Sequence, residues 1–248
     1  MGAYPNLTES LSIIIPAFNE EARLPETIRG IEAYFHGKRP VFFEILIVDD
    51  GSRDATVQVA ESASGSDAAI RVLRNPENKG KGYSVRHGML EAKGEWLLFS
   101  DADLSTPMAE LEKLWAALQR DGSTVAIGSR ALDRSLIGVH QPGFRETAGK
   151  IFNFVMRVVI GLPISDTQCG FKLFRRDVAT RVFAKQTLEG FGFDVEVLFL
   201  AKKLGAKISE VPVRWNHAEN SRVSALNGIQ AFMELAQVRW NDLLGRYR

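Results

Sequence analysis

The sequence predicts an α/β fold with a mainly parallel central sheet flanked by helices. Three observations predict it. Short β-branched, apolar runs alternate with segments of helical apolar spacing through the first half of the chain. The segments between these runs have roughly the 10–15-residue helical length that connects parallel strands. Polar clusters follow three of the runs directly, at Pro16 to Glu20, Asp49 to Ser52 and Asp101 to Asp103. An open parallel sheet binds its ligands there, beyond the carboxyl ends of its strands.

Taken in order, Leu11 to Ile15 is a strand that stops at Pro16, and Glu20 to Phe35 is a helix spaced by Leu24, Ile28, Ile31 and Phe35. Phe42 to Val48 is a continuous apolar run with one charge, as a strand buried on both faces shows. Asp49-Asp50-Gly51-Ser52 ends it as a turn. Asp54 to Ser64 reads as helix, Ile70 to Leu73 as strand, Gly82 to Ala92 as helix and Glu95 to Ser100 as strand. Ser105 or Thr106 is expected to cap the next helix, with Pro107 in its first position and an end near Arg120. Val125 to Gly128 is a further strand. In the second half, Arg145 to Ile160 and Ala225 to Leu244 read as amphipathic helices. Phe171 to Phe174 and Lys207 to Trp215 read as strands, and Phe193 to Leu204 as helix. No repeat or linker divides the chain, so one domain over residues 1–248 is expected.

The 248 residues are 45% hydrophobic and 25% charged, ordinary values for a globular chain with a sizeable core. Lys plus Arg is 31 against 30 for Asp plus Glu, a balance that argues against a dedicated nucleic-acid binder. The single cysteine, Cys169, excludes an intramolecular disulfide and a cysteine-cluster zinc site, and reads as a buried packing residue. No signal peptide is expected, and no run reaches the roughly 18 apolar residues of a spanning helix. The expectation is a soluble chain, or one that lies on a membrane surface.

Asp101 and Asp103 are the first candidates for chemistry. Two carboxylates two apart at a strand end suit one Mg²⁺ or Mn²⁺ completed by substrate phosphates. A solvated turn is the plain alternative, and the buried strand before the pair favours the metal. Asp49 to Ser52 reads either as a capped turn or as a carboxylate offered to a base or ribose. Asn78-Lys79-Gly80-Lys81-Gly82 is glycine-rich but lacks Walker A spacing.

These motifs follow one another in a familiar order. Ile14-Ile15-Pro16-Ala17-Phe18-Asn19-Glu20-Glu21, Val48-Asp49-Asp50-Gly51-Ser52, Asn78 to Gly82 and Asp101-Ala102-Asp103 resemble the inverting family 2 glycosyltransferases of GT-A fold. Asp166-Thr167-Gln168-Cys169-Gly170-Phe171-Lys172-Leu173-Phe174, Phe193-Asp194-Val195-Glu196 and Ser221-Arg222-Val223 resemble the polyprenyl- or dolichyl-phosphate hexosyltransferases. Within these, the motif around Cys169 looks most like the dolichyl-phosphate β-glucosyltransferases.

The resemblance implies roles. Residues 1–130 would form a nucleotide-sugar-binding half and 131–248 an acceptor half. Pro16, Phe18 and Glu20 would line the nucleotide pocket and Asp49 would accept from the base. Asp50, Lys79 and Ala102 belong to the donor side. Asp101 and Asp103 would hold the diphosphate through Mg²⁺ or Mn²⁺. Arg130 and Arg145 would contact the acceptor phosphate, Arg222 would lie over the donor, and Asp194 and Glu196 would line the sugar and acceptor region. Asp103, Arg145, Arg222 and Asp194 form the expected catalytic set. Ser105 and Gly149 depart from the glutamine and serine that some relatives carry there.

The implied reaction moves a hexose, glucose from UDP-glucose, to a polyprenyl phosphate at the cytoplasmic face of a membrane, with inversion. A divalent ion and an arginine stabilise the departing diphosphate. The acceptor phosphate is already an anionic nucleophile that arginines orient, so no general base is nominated. The alternatives are GDP-mannose as donor, a hydroxyl acceptor in a soluble enzyme, and a non-catalytic nucleotide-sugar binder. The amphipathic helices face either the core or the membrane surface.

Overall fold

The structure is a computed structural model that describes residues 10–37, 40–63, 69–138, 160–216 and 225–247, the side chains of 225–232 left aside. Among the described residues seven strands form one sheet: β1 (Leu11–Ala17), β2 (Phe43–Asp49), β3 (Ala69–Arg74), β4 (Trp96–Ser100), β5 (Val125–Ser129), β6 (Phe171–Arg175) and β7 (Ile208–Pro212). Their order is β3-β2-β1-β4-β6-β5-β7. The sheet is mainly parallel, as expected. β6 alone runs antiparallel, to both β4 and β5. Its sequence gave no sign of this, because an antiparallel strand in the middle of a buried sheet needs the same apolar residues as a parallel one.

Alternating side chains divide the strands between two cores. Ile14, Leu46, Val48, Leu97 and Phe99 pack on one face, and Ile13, Ile15, Ile45, Ile47 and Leu98 on the other. Every residue of β2 is buried, which accounts for its unbroken apolar run. The register pairs Ala17 with Asp49 and Ile14 with Phe99. The loops after β1, β2 and β4 therefore leave the sheet side by side.

Among the described residues seven α-helices flank the sheet: α1 (Leu24–Phe35), α2 (Thr56–Ser62), α3 (Lys81–Glu91), α4 (Leu111–Asp121), α5 (Arg176–Lys185), α6 (Phe193–Lys203) and α7 (Ala225–Leu243). α1 begins later than its apolar spacing suggests because Asn19, at φ 54°, turns the chain first. Neither Ser105 nor Thr106 caps α4. Pro107 instead precedes a short 3-10 turn, Met108–Glu110, which feeds into the helix. Ser105 and Thr106 are buried, Thr106 Oγ1 lying 3.9 Å from Cys169 Sγ. Helix α5 was not foreseen. Its charged start, Arg175-Arg176-Asp177, masks an apolar face of Val178, Ala179, Val182 and Phe183. Cys169 is buried, and its burial pushes the thiol up to about 12.

The described part of α7 has a partly polar inward side. Its buried side carries Glu234, Leu235, Val238 and Asn241, whereas Met233 is 62% exposed, Trp240 62% and Leu243 78%. The reason lies in the partners offered by the interior. Glu234 accepts from the Gly192 amide and Asn241 donates to Thr187 Oγ1, so polar groups are satisfied inside. The other amphipathic segment lies outside the described residues up to 159. Among the described residues no helix is long and apolar enough to cross a membrane.

Candidate active site

Hydrogen bonds tie the loops after β1 and β2 into one rim. The Asn19 amide donates to Ser52 Oγ (2.9 Å) and its side-chain oxygen accepts from the Arg53 amide (2.8 Å). The Glu20 amide donates to Thr56 Oγ1 (2.7 Å), and the Asp50 amide to the Ala17 carbonyl (2.8 Å). Pro16 and Phe18 are half-buried on this rim. The Glu20 carboxylate pairs with Arg23 at 2.7 Å, and the buried Asp49 carboxylate accepts from the Ser52 amide at 3.2 Å.

Asp50, expected on the donor side, points its carboxylate into the neighbouring 77–80 loop. It is buried and accepts from Asn75 Nδ2 (2.8 Å) and from the amides of Lys79 (3.0 Å) and Gly80 (2.8 Å). Its work is to hold the 77–80 loop against the end of β2. Lys79, the lysine expected at the donor, instead pairs with Glu77 at the surface (2.5 Å). The lysine that turns inward is two residues on. Lys81 Nζ lies 2.7 Å from Asp101 Oδ1 and 5.2 Å from the centre of the Phe99 ring.

Asp101 and Asp103 sit past the end of β4, and both are partly exposed. Leu104 closes this turn at φ 45°, a left-handed conformation that costs a non-glycine residue about 1–3 kcal/mol. Neighbours hold it. The Asp103 carboxylate accepts from the Ser105 amide (2.9 Å), and the Ala102 carbonyl accepts from Thr27 Oγ1 on α1. Ala102 thus serves through its backbone. A Cβ on Gly170 would stand 2.0 Å from Asp101 Oδ2 and would push the carboxylate out of its present place. Its lack of a side chain leaves room for the Asp101 carboxylate.

The pair fits a hard divalent ion. Two carboxylates lie close to one turn, and no third His, Cys, Asp or Glu joins them among the described residues. Mg²⁺ or Mn²⁺ is commonly held this way, by one or two carboxylates with substrate phosphates and water completing the shell.

Beneath lies a second, fully buried pair. Lys172 Nζ contacts Asp194 Oδ1 and donates to the Cys169 carbonyl (2.7 Å). Burial pushes the Asp194 carboxyl up, and Lys172 and Lys81 only partly oppose it. Asp194 is therefore near the predicted site but is occupied with a lysine. Glu196, expected in the sugar and acceptor region, turns into the interior. It is wholly buried and accepts from the Thr187 amide (3.0 Å), Thr187 Oγ1 (2.6 Å), the Leu188 amide (2.8 Å) and Tyr247 Oη (2.5 Å). Its spacing from Asp194 on α6 turns it to another side of the helix, onto the 187–188 segment and the C-terminal Tyr247.

Arg130, expected on the acceptor phosphate, makes a bidentate pair with the buried Asp166. Its Nε lies 2.6 Å and its Nη2 2.8 Å from the two carboxylate oxygens, and it stacks on Trp215. Burial opposes the Asp166 charge, and the Arg130 guanidinium overrides it, holding the carboxyl below the usual range. Arg145 and Arg222 lie outside the described residues.

Sequence reasoning therefore missed Lys81, Lys172 and the Gly170 cradle as members of this centre. Lys81 lies in the glycine-rich segment Asn78 to Gly82, at the start of α3. Lys172 and Gly170 lay inside the motif around Cys169. Only the fold shows which of these side chains turn toward Asp101.

Comparison with known proteins places this geometry. Residues 12–183 match the family model described as glycosyl transferase family 2. A Drosophila melanogaster protein named dolichyl-phosphate beta-glucosyltransferase is 40% identical, over 99% of this chain and 80% of its own. The Homo sapiens protein of that name is 35% identical, over 97% of this chain and 78% of its own. Among solved structures, mannosyl-3-phosphoglycerate synthase from Rubrobacter xylanophilus superposes with a TM-score of 0.71 at 18% identity, covering 99% of this chain and 80% of that one. Glucosyl-3-phosphoglycerate synthase from Mycobacterium tuberculosis, in complex with Mn²⁺, UDP and glucosyl-3-phosphoglycerate, gives 0.68 at 19% identity, covering 93% and 80%. The fold is that of the GT-A glycosyltransferases, and the chain belongs to glycosyl transferase family 2.

Proposed function

We propose that the chain transfers glucose from UDP-glucose to a dolichyl or related polyprenyl phosphate, with inversion at the anomeric carbon. The observation that carries this is the Asp101/Asp103 pair at the end of β4, beside the rim formed by the loops after β1 and β2. The relatives named dolichyl-phosphate beta-glucosyltransferase support the acceptor and the sugar. A second solved structure of glucosyl-3-phosphoglycerate synthase from Mycobacterium tuberculosis, in complex with Mn²⁺ and UDP-glucose, supports the donor and the ion.

In this reading Pro16, Phe18 and Asp49 bind the base and ribose. Asp101 and Asp103 hold the ion, which when bound offsets the charge growing on the leaving diphosphate. Lys81 and Arg222 supply further positive charge there. Arg145, with the outer face of Arg130, orients the acceptor phosphate, whose oxygen attacks the anomeric carbon as UDP leaves from the opposite side. The phosphate monoester is already ionised, so no carboxylate has to accept a proton.

The acceptor's tail demands a membrane surface. Met233, Trp240, Leu243 and Leu244 are exposed on and just after α7, with Arg239 and Arg246 nearby. An apolar helix face with cationic flanks suits the interface between headgroups and acyl chains. We place the enzyme there as a peripheral protein on the cytoplasmic face.

The test is transfer of labelled glucose or mannose from UDP-glucose or GDP-mannose to dolichyl phosphate, with Mn²⁺ and with a chelator. Metal-dependent lipid-linked glucose from UDP-glucose is expected. Lipid product from GDP-mannose alone, or no lipid product, would overturn the assignment.

A further inference from the structure

Around Phe99 four charged side chains alternate in sign. Asp101 meets Lys81 at 2.7 Å, and Lys172 contacts Asp194 behind them. Both ammonium groups lie against the Phe99 ring, at 5.2 and 5.5 Å from its centre. The row is neutral as it stands. Lys81 thus occupies, as a monovalent cation, a carboxylate oxygen that a divalent ion would need.

The backbone of Lys81 is fixed. Gly80 precedes it at φ 104°, where an added Cβ would stand 2.5 Å from the Glu189 carbonyl. The next amide, of Gly82, donates to Glu189 O (2.8 Å), and the Gly82 carbonyl accepts from Gln186 Nε2 (2.9 Å). Helix α3 cannot withdraw the lysine. Its side chain, 23% exposed at the open end of the row, can swing. The Asp101 carboxylate it holds is 34% exposed, so the contact opens to solvent.

We infer that Lys81 is a resident counter-cation of Asp101, which a divalent ion displaces and a nucleoside diphosphate then receives. This rests on the proposed metal role of Asp101 and Asp103. With Lys81 in place, a divalent ion brings like charge against an ammonium already on its ligand. A diphosphate changes the balance, because it offers oxygens to both the ion and the lysine. A lysine suits the exchange, with three donors on a flexible four-carbon stem. Binding of ion and nucleotide is therefore mutually reinforcing, and the reinforcement is reciprocal. Lys81 makes the ion alone a weak ligand and makes it a strong one when the diphosphate is present.

The test titrates Mn²⁺ into the purified full chain without nucleotide, following free Mn²⁺ by electron paramagnetic resonance, and repeats it with UDP. In Lys81→Met the neutral side chain leaves Asp101 open. Mn²⁺ alone is expected to bind at least about tenfold more tightly than in the wild type. UDP at saturating Mn²⁺ is expected to bind about tenfold more weakly. Lys81→Arg keeps the charge and is expected to keep the weak binding of Mn²⁺ alone. Lys81→Gln repeats the neutral substitution if methionine disturbs the fold, which circular dichroism reports. Unchanged or weaker binding of Mn²⁺ alone in both folded neutral variants would overturn the inference. Failure of the underlying metal assignment looks different. There Asp101→Asn and Asp103→Asn would leave Mn²⁺ binding with UDP unchanged in the wild-type Lys81 background.

Discussion

The two acidic pairs of this protein, Asp101/Asp103 past β4 and Asp194/Glu196 on α6, carry the same chemistry in opposite settings. The first pair is partly exposed on a turn held by other groups: the Ser105 amide, Thr27 and the bare Cα of Gly170. The second pair is buried and spent inside the protein, Asp194 on Lys172 and Glu196 on the 187–188 segment and Tyr247. The contrast teaches that a carboxylate motif can serve as a ligand site only where the fold leaves its oxygens reachable. Where the fold surrounds them with donors, the same residue type is a structural clamp.

Substitutions should separate the two kinds. Asp101→Asn or Asp103→Asn is expected to lower glucose transfer by at least about 100-fold, the scale of losing a transition-state electrostatic contact. The melting temperature should scarcely move. Glu196→Ala should do the reverse in kind. It strands the amides of Thr187 and Leu188 and the Tyr247 hydroxyl in the interior. Leaving a buried donor unsatisfied costs about 1–3 kcal/mol, or at roughly 2–4 °C per kcal/mol a fall of roughly 2–12 °C by calorimetry for each group stranded. A Glu196→Ala protein with native stability and lost transfer would break the comparison.

Asp166 sharpens it through pH. Arg130 holds its carboxyl below the usual value, so the folded protein binds this proton more weakly than the unfolded chain does. The resulting stability is present above about pH 4, the unfolded value, and is lost as pH falls through the lower folded value. Asp166→Asn should therefore flatten the acid limb of a stability-against-pH curve, with a smaller effect than Glu196→Ala. An acid limb unchanged in Asp166→Asn would remove this pair from the account. Lys79→Met should do least, because the Lys79 ammonium pairs with the exposed Glu77 at the surface. Transfer and melting temperature are both expected to stay at wild-type values. A large loss of transfer would return Lys79 to the donor site.

Much of the fold was legible because its cause is periodic. β1, β2 and α1 follow directly from apolar spacing, and the polar clusters mark the ends of β1, β2 and β4. What stayed hidden depends on partners distant in sequence. The direction of β6 is set by its insertion between β4 and β5. The inward face of α7 is set by Gly192 and Thr187, which receive Glu234 and Asn241. The exchange of Lys79 for Lys81 is of this kind too, since Asp50 and the Glu189 carbonyl fix which lysine turns toward Asp101. The Asp101/Asp103 pair could be read early because both residues and the turn between them are local.

The most direct test of the central claim, that the rim beyond β1, β2 and β4 is a metal-dependent donor site, is a thermal shift with UDP and Mn²⁺. At 100 times its dissociation constant a ligand stabilises by about 2.7 kcal/mol, roughly 5–11 °C for a chain of this size. The account predicts a rise of that order with UDP and Mn²⁺ together, absent with a chelator and absent in Asp101→Asn. A rise that survives Asp101→Asn, or no rise in the wild type, would contradict it.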